Sequence, residues 1–190
     1  MTTPRVIRKA ISPQLVSYLK TCILMVKDVK YKLAGVDVCN TRAFEDRFVK
    51  NCFVITCEPF LDALIVEQQE TMECLAGCEL LPTYAYSRIY WPGSVLPKHT
   101  DRESCEVSAT ICIDSDPDPW PIFVGREKYI LEPGDMLVYK GINLAHWRDA
   151  YTGNRHIQIF IHYVEKNGKY SEYKYDKRPC LGHPYQNRRQ

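Results

Sequence analysis

Near residue 80 the spacing of apolar residues changes period, and that change does most to limit the folds open to this chain. Before it the period is helical. In "SPQLVSYLKTCILMVKDV", Ser12 is a candidate N-cap and Pro13 the first helical residue, with Leu15, Val16, Leu19, Cys22, Ile23 and Val26 at i,i+3/i+4 spacing. A second helix is expected in "EPFLDALIVEQQETMECLAG", opening at Pro59 and stopping near Gly77. From "LPTYAYSRIYW" onward the chain reads as short strands over 83–91, 105–113, 121–124, 128–132, 136–139 and 155–163. Between them "DSDPDPWP", "EPGD", "KGIN" and "YTGN" carry turn chemistry. Helices followed by many short strands predict an α+β chain whose strands form an antiparallel sandwich or barrel. At 190 residues one domain is enough to bury its own core. Within it, residues 1–79 read as mainly helical support, 80–165 as the strand-rich core and 166–190 as a C-terminal tail.

Charge narrows the partners. Twenty-five basic against 23 acidic side chains leave no electrostatic footprint for nucleic acid, and the locally basic end, "YKYDKRPCLGHPYQNRRQ", reads as a solvated tail. The opening "MTTPRVIRKAISPQ" lacks the apolar core of a signal peptide, and no apolar run reaches membrane-spanning length. Nine cysteines cannot all pair within the chain, and their spacing matches no zinc template. A cytoplasmic protein without membrane or nucleic-acid partners is the expectation.

The chemistry starts at "LPKHTDRESCE". In an extended segment residues i and i+2 face the same way, so His99 and Asp101 converge. Two ligands hold a metal poorly, and a third must come from elsewhere. His146, in "INLAHWRD", follows an apolar strand and opens a loop, a natural place for it. In "RHIQIFIHY" the isoleucines 157, 159 and 161 share one face, read as the core, which turns His156 and His162 outward. Arg155 shares the isoleucine face and needs an anionic partner there: a buried carboxylate such as Asp135 or Glu106, or the carboxylate of a ligand. Two imidazoles and one carboxylate form the facial triad of non-haem Fe(II) oxygenases, which leaves coordination positions open.

With that set in view, "LPTYAYSRIYWPGSVLPKHTDRESCEVSATICI", "WPIFV", "PGDMLVYKG", "HWRD" and "IFIHYVEKNG" together resemble the Fe(II)- and 2-oxoglutarate-dependent dioxygenases. The group is the prolyl 4-hydroxylase-like one, in its small bacterial and phage form. The likeness covers roughly residues 80 to 180, and the nine-residue step from His146 to Arg155 is part of it.

The resemblance implies a double-stranded β-helix, or jelly roll, backed by the N-terminal helices. It implies iron ligands at His99, Asp101 and His146, and a clamp for the far carboxylate of 2-oxoglutarate at Arg155. Many relatives add a tyrosine from the strand before His-x-Asp. In "TYAYSRIY" Tyr84, Tyr86, Arg88 and Tyr90 share a face, with Tyr90 the first choice for that contact and Tyr86 the second. Arg88, Arg102, Trp147 and Arg148 are expected to touch substrate or support the ligands. The strand "VSATICI" lacks a further co-substrate tyrosine found in some prolyl hydroxylases, leaving Thr110 or Cys112 in its place. Related halogenases carry a small residue where Asp101 stands, so the carboxylate implies hydroxylation.

The implied reaction consumes 2-oxoglutarate and O2 and releases succinate and CO2. Its cofactor is Fe(II), ascorbate is an optional addition, and the acceptor is an unactivated C–H bond, prolyl or other, in a peptide, protein or amino acid. The competing readings are a non-catalytic jelly-roll binding module and a zinc-dependent cupin-like enzyme. Intact ligand positions argue against the first, and an inward Arg155 without a zinc role argues against the second.

Overall fold

The fold, a computed structural model, describes residues 3–32, 42–46 and 48–182. In chain order its elements are β1 (Arg5–Ile7), α1 (Pro13–Lys32), β2 (Arg42–Glu45), β3 (Cys52–Thr56), α2 (Pro59–Ala76), β4 (Leu80–Tyr90) and β5 (Leu96–His99). Then follow β6 (Val107–Asp114), β7 (Ile122–Val124), β8 (Glu127–Tyr129), β9 (Met136–Tyr139), β10 (His146–Arg148) and β11 (His156–Glu165). The last eight residues of the basic tail, 183–190, lie outside the described residues.

The start of α1 and the end of α2 fall where the local chemistry directs. Ser12 Oγ accepts the backbone N–H of Leu15 at 3.2 Å, and Pro13 opens α1. At the end of α2, Gly77 takes a left-handed conformation (φ 76°) and its N–H donates to the carbonyl of Glu73 at 2.8 Å. Leu19 and Ile23 of α1, with Leu61, Leu64, Ile65 and Met72 of α2, pack on Ile55, Ile89, Ala109, Ile111, Ile157, Ile159 and Ile161. The helices therefore cover one face of a sheet.

That sheet has seven strands in the order β1-β9-β6-β11-β4-β3-β2; a second has four, β5-β10-β7-β8, and every pairing is antiparallel. The two face each other as a jelly roll. Leu96 packs with Tyr90, Val54 and Phe160 across the gap, and Ile122 and Val124 with Cys112, Leu137 and Tyr139. Residues before 80 contribute three strands, β1, β2 and β3, to the large sheet, in addition to the two expected helices. Strands β5 and β10 are four and three residues long, too short for alternation to reveal them.

One expectation fails here. Strand β11 lies in the middle of the large sheet, with β4 on one side and β6 on the other, and nine of its ten residues are buried. Its isoleucines face the helices, while His156, Gln158, Phe160 and His162 face the space between the sheets. The histidines do not point to solvent. An apolar face locates a core only when the other face is wet, and here the helices and the second sheet bury both.

All eight described cysteines are free, and no helix among the described residues is long and apolar enough to cross a membrane.

Candidate metal centre

His99 ends β5 and His146 begins β10, and the two are direct cross-strand partners. Antiparallel pairing thus brings together imidazoles 47 residues apart in the chain, with ring centroids 4.3 Å apart. Each ring is aimed by its own backbone. His99 Nδ1 donates to the carbonyl of Pro97 at 2.8 Å, and His146 Nδ1 to that of Leu144 at 2.9 Å. Both tautomers are thereby set, and both Nε2 lone pairs turn to the same point. Asp101 Oδ1 lies 3.4 Å from His146 Nε2 and 3.8 Å from His99 Nε2, and one donor atom from each residue falls within 4.8 Å of the others. Bonds of about 2.1 Å to one ion would leave neighbouring donors roughly 3 Å apart. The trio is therefore slightly open, and two nitrogens with one carboxylate oxygen suit Fe(II).

The carboxylate is held from behind. Asp101 Oδ2 accepts the hydroxyl of Ser108 at 2.9 Å, and Asp101 N–H donates to the carbonyl of Gly141 at 3.0 Å. The one Ser108 hydrogen has two acceptors in reach, Asp101 Oδ2 and the Cys105 carbonyl at 3.1 Å, so His162 Nδ1–H donates to Ser108 Oγ at 2.9 Å. Gly141 is required by close approach: a methyl group there would overlap Asp101 Oδ2 and sit 2.7 Å from Ser108 Oγ. Burial pushes the Asp101 carboxyl up, but the His146 contact, the His162 and His146 imidazoles and the Ser108 hydroxyl outweigh it and bring it to about 2. Burial and the neighbouring His146 push His99 down, against the Pro97 carbonyl and Asp101, which favours the neutral form that binds metal. Cys105 and His162 approach Asp101 as a second possible donor group, but burial raises the Cys105 thiol to about 12 and it pairs with the Tyr84 hydroxyl at 3.2 Å.

From this centre a polar lining runs along the large sheet between the layers. Tyr86 stacks on Phe160 at 4.6 Å, and Arg88 lies over both rings while its guanidinium bonds Asp46 at 2.6 and 3.1 Å. Thr110 donates to Gln158 Oε1 at 2.7 Å, and the Gln158 amide reaches His156 Nε2 at 2.6 Å. Among the described residues three buried polar atoms here have no partner at hydrogen-bond geometry: Tyr90 Oη, His156 Nδ1 and His162 Nε2. Arg148, 1% exposed, donates from Nη1 to the carbonyl of Trp120 at 2.5 Å and rests 4.7 Å from the Trp120 ring. Phe48, exposed, meets the edge of His99 at 5.5 Å and marks the open side of the centre.

The structure brings His99, Asp101 and His146 together, with Tyr86, Arg88, Tyr90 and Arg148 facing the same interior. It does not bring Arg155. That side chain bonds Asp114 Oδ2 at 2.8 and 2.9 Å, while Lys20 of α1 takes Asp114 Oδ1 at 2.6 Å. Arg155 follows its isoleucine neighbours to the helix side, where a resident carboxylate, neither Asp135 nor Glu106, neutralises it. Arg102 makes a two-pronged pair with Asp176, both contacts 2.8 Å, and covers the Tyr84 ring, so it ties the C-terminal segment to the ligand loop. Trp147 points to the outer face, stacked on Phe123 at 5.0 Å beneath Lys98. Sequence reading missed Ser108, Gly141, Gln158 and the inward His156 and His162. The polar spacing of 156, 158 and 162 was the available signal.

No protein-family model matches the sequence, and no curated protein matches it. Solved structures do. The epimerase SnoN from nogalamycin biosynthesis, described as non-haem and α-ketoglutarate-dependent, superposes with a TM-score of 0.67 at 10% identity, covering 85% of this chain and 76% of its own. HygX from Streptomyces hygroscopicus, solved with nickel, 2-oxoglutarate and hygromycin B, gives 0.65 at 10% identity over 87% and 84%. A prolyl-4-hydroxylase from Pseudomonas putida gives 0.63 at 12% identity over 87% and 94%. The chain has the fold of the 2-oxoglutarate-dependent oxygenases. At this level of identity the likeness lies in the fold, and chemistry must be argued from the chain's own residues.

Proposed function

We propose that this protein is an Fe(II)- and 2-oxoglutarate-dependent dioxygenase that oxidises a C–H bond of a peptide, amino acid or other small organic acceptor. The observation that carries the reading is the convergence of His99 Nε2, His146 Nε2 and Asp101 Oδ1, with both Nδ1 atoms already committed to backbone carbonyls. Imidazoles held this way are spent on nothing else, and a facial set of three leaves the remaining positions to ligands. Nickel and 2-oxoglutarate in HygX, on the same fold, support the choice of co-substrate.

Within this reading His99, Asp101 and His146 hold the metal. Ser108 and the backbone of Gly141 fix the carboxylate so that Oδ1 alone faces it. Bound iron with 2-oxoglutarate supplies oxidation of an unactivated C–H bond by O2, coupled to release of succinate and CO2. The chain supplies a shielded, aromatic-lined interior that orients the co-substrate and keeps water out. Phe48 stands at the entrance beside His99, placed to meet the acceptor. Fold neighbours include a hydroxylase and an epimerase, so the fold leaves the outcome at the acceptor open; we favour hydroxylation because Asp101 keeps the third ligand position.

Apo-protein titrated without oxygen with Fe(II) and then 2-oxoglutarate tests the reading. A weak visible charge-transfer band that needs both additions and is lost in His99→Ala is expected, followed by succinate release on admitting air. Gain of one oxygen by the acceptor marks hydroxylation, loss of two hydrogens ring closure or desaturation, and unchanged mass epimerisation. A folded protein that binds neither metal nor 2-oxoglutarate would leave the non-catalytic module. One that binds zinc but not 2-oxoglutarate would leave the cupin-like enzyme.

A further inference from the structure

A guanidinium buried without a carboxylate demands an explanation. Among the described residues Arg148 has no ion pair, and its one hydrogen bond is to the Trp120 carbonyl. An isolated buried charge costs several kcal/mol unless something neutralises it. The guanidinium of Arg88, which faces the same interior, has Asp46; the surface one, Arg155, has Asp114. Arg148 alone of these three is left wanting an anion.

Its surroundings are built to the same end. The indole of Trp120 is a common wall: Arg148 lies over it at 4.7 Å, Tyr90 meets it at 5.0 Å and His156 at 5.2 Å. Among the described residues the buried Nδ1 of His156 and hydroxyl of Tyr90 have no partner at hydrogen-bond geometry, though the guanidinium charges of Arg88 and Arg148 both act on Tyr90. The chain Thr110 → Gln158 → His156 settles the state of that ring. Thr110 occupies the Gln158 oxygen, so the Gln158 amide donates to His156 Nε2, and the imidazole proton must sit on Nδ1. Three donors, one of them charged, thus surround one wall, and Asp116, the carboxylate that acts on His156, is already taken by the Tyr151 hydroxyl and the N–H groups of Asn154 and Arg155. Donors without acceptors, carrying a single positive charge, match one carboxylate.

We propose that Arg148, Tyr90 and His156 form a carboxylate pocket that binds the far carboxylate of 2-oxoglutarate and so selects a dicarboxylic over a monocarboxylic 2-oxo acid. The inference rests on the oxygenase reading and replaces the clamp that Arg155 cannot provide. Geometry agrees. His146 and Arg148 are i and i+2 on one face of β10, about 7 Å apart along the strand. An extended five-carbon chain held by the metal at its keto-acid end covers a similar span. The arginine therefore comes from the strand of a metal ligand, in the sheet opposite the one whose strand β11 follows Arg155.

The test measures binding of 2-oxoglutarate and of pyruvate to the Fe(II)-loaded protein without oxygen, in wild type, Arg148→Met, Tyr90→Phe and Arg155→Ala. Arg148→Met is expected to bind 2-oxoglutarate roughly 10- to 100-fold more weakly. Its Fe(II) and pyruvate affinities should be unchanged, so that the preference for the dicarboxylate collapses. Tyr90→Phe should show a smaller loss in the same direction, and Arg155→Ala none. Thermal melting of the ligand-free protein supplies a second readout: Arg148→Met should melt no lower than wild type, because it removes an unneutralised buried charge. Wild-type affinity of Arg148→Met for 2-oxoglutarate, or an equal loss for pyruvate, would overturn the proposal while leaving the metal site intact. If Arg148→Met fails to fold, Tyr90→Phe decides, and full 2-oxoglutarate affinity in it would overturn the pocket. A wild-type protein that takes up no Fe(II) removes the oxygenase reading and this inference with it.

Discussion

Ser108 shows how little separates a carboxylate from a metal ligand. Its hydroxyl bonds Asp101 Oδ2, accepts from His162 and leaves Oδ1 facing the two imidazoles. Ser108→Ala is expected to keep the fold and weaken Fe(II) affinity by roughly 10- to 100-fold, the usual cost of losing a partner behind a metal ligand. Calorimetric Fe(II) or Mn(II) titration checks it, and an unchanged affinity would mean that Gly141 and the ligand loop hold Asp101 unaided. At this scale the sequence was legible where chemistry is local. His99 and Asp101 follow from a two-residue step in an extended segment. Ser108 was not legible, because nothing about a serine in "EVSATI" announces a carboxylate seven residues earlier that folds back over it.

Among the elements, β11 carries the most. Its isoleucines join the helices to the large sheet, and its alternate residues line the interior. Ile159, fully buried on the helix side, is expected to cost roughly 2–5 kcal/mol when cut to Ala, read as a fall in the denaturant midpoint. Metal affinity measured under native conditions should hold, since the two faces serve different ends. Strand existence was readable from alternation in 155–163, and so was the division of its residues into two faces. Which face met the ligand was not readable. Alternation assigns partners to a face only through what packs on it, and α1 and α2 pack on the isoleucines. The same packing sends Arg155 to Asp114.

For the molecule as a whole, buried imidazoles link stability to pH. Burial brings His162 down to about 4 and His156 well below its ordinary value, and His99 is lowered too. In the unfolded chain these rings take protons near 6.5. Below that value the unfolded state binds more protons than the folded one, so stability is full at neutral pH and falls as pH drops from about 6.5 toward 4. For His162 alone the shift corresponds to roughly 3 kcal/mol. Urea midpoints of the metal-free protein from pH 7 to 4.5 should decline, and His162→Gln, which keeps a donor for Ser108 but does not titrate, should flatten that decline. A flat profile in the wild type would show the imidazoles to be better solvated than their burial implies.

Local chemistry was enough for the start of α1, the two ends of α2, the existence of the long strands and the facing pair His99 and Asp101, while His146 came from the resemblance and is brought to them by strand pairing. Each rests on residues close in the chain, or on an imidazole and a carboxylate whose combination has few other uses. Tertiary packing decided which face of β11 looks inward, what neutralises each arginine, and where an unneutralised charge remains. Those outcomes depend on which layers cover a strand. A sequence records the alternation of a strand but not what lies on either side of it.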